Sequence, residues 1–323
     1  MPIAVVDARN TIWIGGSNQV AVLRPDARGE LQAVAVTDRL PAAERNFGRL
    51  YLGATSPDGV FLAGPSRLLF FGDDGTTRTW RPGPTNFNGL SWYDGALHVS
   101  LGTAGLARLE GGVFVPVAAA PPSPNPAIPD TLRLFAARAA PGGHGALLLT
   151  NVGPMRWASR GAPLEPLSAG VTAEFARESA TAAAFLPDGR LTFSFPGRGL
   201  LVLEATGAVS VRLDRTRGLS ASRIDHVATD NQGGLWLAQL NGLARLQLDS
   251  GFALHGVHDV TREFLRLGDR LYFAHYQGLV WRDDATGAFH SVSNLPAGLK
   301  SLLRIGDRLF GTGQFLYEIT PDD

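Results

Sequence analysis

The chain has 323 residues, of which 45% are apolar and 18% charged, enough for a large buried core. Its formal net charge is zero, so the positive stripe that a nucleic-acid partner requires is missing. There is no cysteine, which excludes disulfides and thiolate metal sites, and no segment approaches the roughly 18 consecutive apolar residues of a membrane span.

The opening MPIAVVDARN has neither a basic n-region nor a long apolar h-region, so no signal peptide is read there. From residue 3 onward one unit recurs about every 42 residues, the spacing of a propeller blade. Each unit has an apolar strand, a turn rich in Asp and Gly, a strand, a second turn and a further strand. The first strands include IAVV (3–6), IDHVAT (224–229) and KSLLRI (300–305). The second strands are anchored at Ile12, Phe61, Leu97, Leu147, Leu191, Leu235, Leu271 and Leu309. The third strands read QVAVL (19–23), RLLFF (67–71), GLARL (105–109), GPMRW (153–157), GLLVL (199–203), GLARL (242–246), GLVWR (278–282) and QFLYEI (314–319). Edge strands such as VFVPVA (113–118), AVSVRL (208–213) and FALHGV (252–257) follow in seven units. Asp suits the turns because it bonds its own backbone, and Gly because it accepts φ > 0.

A single unit of this kind cannot bury both faces, whereas radial stacking buries each against its neighbours. The sequence therefore predicts an all-β protein, a β-propeller of seven to eight four-stranded blades in a single domain over 1–323. Seven units are complete and the eighth has three strands. That fits an eight-bladed ring with an incomplete last blade, or a seven-bladed ring followed by the start of another module in a longer polypeptide. The Pro-rich segment 119–131 reads as a long inter-blade loop, because strand units continue on both sides.

Residues 218–250 resemble the repeat of two-component regulator propellers. The match comprises Gly218, Leu219, Ile224, Asp230, Gly233, Leu235, Trp236, Gly242, Leu243, Arg245 and Leu246. Residues 7–16 repeat the turn and strand, with Asn10 at the Gly position, and 102–109 repeat the third strand. The resemblance implies a sensory role: the extracytoplasmic, ligand-sensing part of a bacterial receptor, ahead of a membrane helix and a kinase or cyclase output. Several members resemble carbohydrate sensors. In a longer receptor the domain is periplasmic; complete as given, it is cytoplasmic.

No residue set announces catalysis. Asp58, Asp94, Asp188 and Asp230 recur as turn formers, and residues 228–236 miss the sialidase aspartate box because Asp230 and Trp236 stand one residue too far apart. His255 and His258 fall on opposite faces of a strand. Neither HExxH, G-x-S-x-G nor a phosphate loop occurs, so the expectation is a non-enzyme with no metal and no cofactor. Trp13 and Trp236 are expected between blades, and Trp92 and Tyr93 partly exposed.

In a propeller the loops entering the innermost strands and those joining second and third strands emerge together near the axis, and such loops carry function. The candidate ligand residues there are Arg45, Asn46, Arg223 and Arg262 on entering loops, with Gln239, Tyr276 and Gln277 on joining loops. Asn18, Arg67, Asn151 and Arg198 share the joining loops. Arg, amide and aromatic side chains suit a polyhydroxylated or anionic small molecule, or an oligosaccharide. Two alternatives stay open: a propeller lyase or hydrolase of the streptogramin-lyase type, with His275 and Glu263 as its acid–base pair, and a protein-interaction scaffold.

Overall fold

The computed structural model describes residues 3–125, 131–140, 144–217, 219, 223–230, 232–239, 242–248, 261–275, 278–283, 288–293, 295, 299–313 and 315–320. The chain divides into two compact units, 1–252 and 253–323.

The first unit contains six antiparallel sheets, each built by strands hydrogen-bonded in chain order. Blade one comprises Ile3–Val6, Ile12–Gly15, Val20–Pro25 and Leu31–Ala35; blade two Leu52–Ser56, Gly59–Ala63, Leu68–Gly72 and Thr77–Trp80. Blade three comprises Gly89–Tyr93, Ala96–Ser100, Leu106–Glu110 and Val113–Ala118; blade four Leu134–Ala139, Ala146–Thr150, Gly153–Trp157 and Leu164–Pro166. Blade five comprises Ala182–Phe185, Leu191–Phe195, Gly199–Leu203 and Val209–Leu213. Blade six shows Ile224–Thr229, Leu235–Gln239 and Gly242–Leu246, and its expected edge strand at 252–257 lies outside the described residues. The first strands of successive blades pack side by side, which makes them the innermost strands and the fold a β-propeller.

Burial follows from this stacking. Second strands such as Gly59–Ala63, Ala96–Ser100 and Leu191–Phe195 are buried along their whole length, because both faces of the sheet meet a neighbouring blade. The outermost strand Leu31–Ala35 is exposed throughout. Cores form between blades: Trp13, Val20 and Val22 of blade one pack with Val60, Leu62 and Phe71 of blade two. Close to the axis the innermost strands crowd, and Gly89 lies where any Cβ would run into the Leu134 carbonyl of the next blade.

The sequence strands and the observed strands coincide closely; GPMRW, GLLVL and the second GLARL match residue for residue. An unforeseen helix, α1 (Ala169–Phe175), bridges blades four and five, anchored by the buried side chains of Val171 and Phe175. Trp236 departs from expectation. Trp13 is enclosed because Phe71 of the next blade covers it at 5.5 Å, but Trp236 remains 40% exposed. It stands on the last sheet of its unit, where no further sheet of that unit covers it. Trp92 and Tyr93 are half-buried.

The second unit holds two sheets. One contains Thr261–Leu267, Arg270–His275, Gly278–Asp283 and Phe289–Ser291; the other contains Ser301–Ile305, Arg308–Thr312 and Leu316–Ile319. Tyr272, Ala274 and Leu279 pack against Leu302, Leu309 and Ile319 between them. With these, eight sheets stand where eight repeats were read.

Candidate functional site

The face of the first unit that carries the entering and joining loops is braced by a recurring strap. The joining loops of blades one to four each accept a backbone hydrogen bond from the entering loop of the next blade. Leu50 donates to Gly16 (3.2 Å), Phe87 to Pro65 (3.0 Å), Leu132 to Gly102 (3.2 Å) and Ala180 to Asn151 (3.0 Å). Side chains add to this: Asn18 reinforces the first strap by accepting from the Gly48 N–H at 2.6 Å, and Glu178 ties two loops of blade five by accepting from the Gly197 N–H at 2.8 Å. The loop face is therefore a rigid rim.

Inside this rim three side chains from alternate blades come together. Tyr51 directly precedes the innermost strand of blade two, Arg133 directly precedes that of blade four, and His226 lies on that of blade six. The Arg133 guanidinium acts electrostatically on both the Tyr51 phenol and the His226 imidazole, although the three blades are not neighbours. Their side chains must therefore reach toward a common axis. All three are open to water. Yet desolvation is the foremost cause of each shift, so their titrating groups are partly enclosed at this end of the unit.

The electrostatics of the cluster follow from those neighbours. Burial pushes Tyr51 up, with Arg133 opposing, so the phenol keeps its proton. His226 is lowered from its ordinary 6.5, by burial first and then by repulsion from Arg133, and stands neutral at pH 7. Burial also lowers Arg133, which nonetheless stays charged. No carboxylate faces Arg133 among the described residues; its guanidinium lies 5.2 Å from the Phe135 ring centre. The rest of its support is backbone. Asn151, almost fully buried, accepts the Arg133 N–H at 2.7 Å and donates from its side chain to the Thr131 carbonyl at 2.9 Å. The Asn151 N–H also donates to the Arg133 carbonyl at 3.0 Å. Tyr51 is held by its hydroxyl, which donates to the Phe87 carbonyl at 3.3 Å.

The ladder slips in the strand that follows Arg133 and in the strand that carries His226. The register shifts between Leu134 and Ala136 and between Ile224 and His226, at equivalent places in blades four and six. Such bulges re-aim side chains at a strand end. A third shift, between Thr261 and Glu263, marks the matching strand of the second unit.

The residues expected from sequence are distributed differently. Arg45 folds back onto its own loop, donating to the carbonyls of Leu40 (2.9 Å) and Asp38 (2.7 Å). Asn46 is exposed beside it. Arg223 pairs with Asp225 at 2.8 Å. Gln239 is buried at the end of its strand, matching Ser100 of blade three, which accepts from the Leu134 N–H of blade four. Arg262 lies on Thr261–Leu267 with its side chain outside the described residues, as do Tyr276 and Gln277 entirely. Arg67 and Arg198 are taken up by Glu44 and by Glu174 with Glu178. Tyr51, Arg133 and His226 were not singled out from sequence; the only signal was their place at the entry to an innermost strand.

The other chemistry weighed from sequence is locally consumed. Asp230 accepts the backbone N–H groups of Gln232 and Gly234, the Trp236 indole and Arg245, and the Arg245 bond foremost holds its carboxyl far below the usual range. Asp7 repeats this turn with Arg9, Thr11 and Trp13: burial raises its carboxyl, but the hydrogen bonds outweigh that and lower it. Glu263 accepts the Leu302 N–H at 2.7 Å, tying the two sheets of the second unit, and the His275 side chain lies outside the described residues. Among the described residues no group of three metal-ligating side chains occurs, and no helix is long and apolar enough to cross a membrane.

No family model matches the chain, and no curated protein matches it in sequence. Solved structures do. The extracellular domain assigned to the hybrid two component system BT4673 of B. thetaiotaomicron aligns at 13% identity with a TM-score of 0.52, over 98% of this chain and 50% of that one. A catalytically inactive virginiamycin B lyase from Staphylococcus aureus, solved with quinupristin, aligns at 12% identity and a TM-score of 0.52, over 87% of this chain and 93% of the lyase. The WD40 propeller domain of Doa1 aligns at 11% identity and 0.50, over 96% and 88%. The chain thus spans half the length of the two-component extracellular domain it matches. At such identities the likeness is one of fold alone, a β-propeller, and one fold hosts many unrelated functions.

Proposed function

We propose that this propeller is a non-catalytic recognition domain, the ligand-sensing part of a bacterial signalling receptor, and that its axial cluster takes a small polar ligand carrying an anionic group. The observation that carries this reading is Arg133: a partly desolvated guanidinium, clamped through its backbone by Asn151, with no carboxylate opposite it among the described residues. A carboxylate or phosphate supplies the missing partner in bidentate fashion. Tyr51 and His226 then offer hydrogen bonds to the remaining polar atoms. An extracytoplasmic setting and a kinase or cyclase output accompany the receptor reading, which rests on the repeat at 218–250 together with the sensor-like fold.

The test is calorimetric titration of the purified chain with uronates, dicarboxylates and sugar phosphates. One of these classes is expected to bind, and Arg133→Ala to lose that binding. A well-folded sample that answers none of them, or binding unchanged in Arg133→Ala, overturns the reading. One feature supports a lyase instead. His226, neutral and next to Arg133, is able to accept a proton in the same cluster. Product appearing during the titration, and vanishing in His226→Gln, decides for the enzyme.

A further inference from the structure

A recess lies at the opposite end of the blades. Strands of about five residues rise roughly 17 Å, so the turn ends of blades two and three stand well away from the axial loops. Between these turn ends is a groove of about 670 Å³. It belongs to neither the straps nor the Tyr51–Arg133–His226 cluster.

Its walls are aromatic. Phe61 forms the floor, with Phe70 at 4.7 Å, Trp92 at 6.1 Å in a near-parallel arrangement, and Trp80 at 6.3 Å. Trp80 and Trp92 are half-buried. The Trp80 indole N–H donates to the Gly112 carbonyl at 2.9 Å, which fixes that ring and satisfies its one polar atom. What Trp80 still offers is apolar surface.

The rim carries both signs of charge. Asp58 is exposed, its carbonyl accepting the Asp73 N–H at 3.0 Å while its carboxylate has no hydrogen-bond partner among the described residues, and Asp74 keeps one oxygen beyond the one that accepts the Thr76 N–H. On the same rim stand Arg78, exposed and acting electrostatically on Asp74, and Arg9, which pairs with Asp73 at 3.0 Å. A cationic ligand would meet two guanidinium groups, and an anionic one three carboxylates. A purely apolar ligand would strip water from all five without replacing it. The ligand class that satisfies rings and mixed charges together is neutral and amphipathic. A sugar ring lays its C–H face on an indole and turns vicinal hydroxyls toward carboxylate and guanidinium.

The geometry points to this inter-blade groove as a binding site for a neutral oligosaccharide. It stands independently of the axial reading. The experiment is titration of the full chain with linear neutral oligosaccharides of the malto, cello, xylo and galacto series, followed by calorimetry and by tryptophan fluorescence. One series is expected to bind at millimolar affinity or better, with roughly tenfold loss in Trp80→Ala and in Asp58→Ala. Asp58→Ala alters an exposed, unpaired side chain, so it keeps the test usable should Trp80→Ala fail to fold. Arg133→Ala is expected to leave this binding unchanged, which separates it from the axial cluster. No response to any of the four series overturns the inference, as does binding that both groove variants retain, or a preference for choline over every sugar.

Discussion

Arg133 and Arg198 stand on the same loop face of the same unit, and their surroundings are opposite. Arg198 is fully occupied: it donates to the Glu174 carbonyl at 2.6 Å, pairs with Glu174 and Glu178 at 3.4 Å each, and lies 4.1 Å from the Phe195 ring centre. These contacts fasten helix α1 to blade five. Arg133 has its backbone held as firmly, but its guanidinium meets a ring and no carboxylate among the described residues. The difference teaches that loop arginines of one composition divide into fasteners and receptors according to whether the fold brings an acid to them.

The strongest way to break that distinction is Arg133→Ala. It is expected to cost the anionic ligand about 1.5–3 kcal/mol, ten- to a hundredfold in Kd by calorimetry, with an almost unchanged Tm. A large fall in Tm would make Arg133 a fastener after all. Arg198→Ala should do the converse, lowering stability by about 1–2 kcal/mol in denaturant unfolding while leaving anion binding intact. Partial exposure of Arg198 and its partners keeps that figure modest.

Protonation sharpens the contrast. A proton on His226 places a second positive charge beside Arg133, so anion binding should strengthen severalfold as pH falls below the ordinary histidine value of 6.5, and His226→Gln should flatten that profile. Without ligand the sign is reversed for stability. The unfolded chain binds the His226 proton near 6.5 while the folded chain, its value lowered, does not. Stability is therefore lost as pH drops from 6.5 toward the folded value, which thermal melts across that window will show. The smallest effect belongs to Tyr51→Phe. Removing a hydroxyl that also donates to the Phe87 carbonyl should weaken binding by about 1 kcal/mol, with Kd as the readout.

The architecture was legible in the sequence because its determinants are local. Asp7 and Asp230 build the same turn from the same bonds, and each is followed by a strand whose alternation shows in its residue types. The same local pattern failed for the burial of Trp236, since coverage of a ring is supplied by another sheet. Nor does a local pattern tell which loop side chains are already engaged by the fold. Arg45, Asn18 and Arg67 look like ligand groups in a polar loop, but the structure uses them to close loops and bind straps.

The sequence alone determined the strands, the eight repeats and the propeller, because strand period and turn chemistry act within a few residues of one another. Only the tertiary structure decided which side chains share the axis and which rings wall the groove. Tyr51 and His226 are separated by most of the unit, and Phe61 and Trp92 belong to different sheets; what unites each set is radial packing, a through-space effect, with a shifted ladder added at His226.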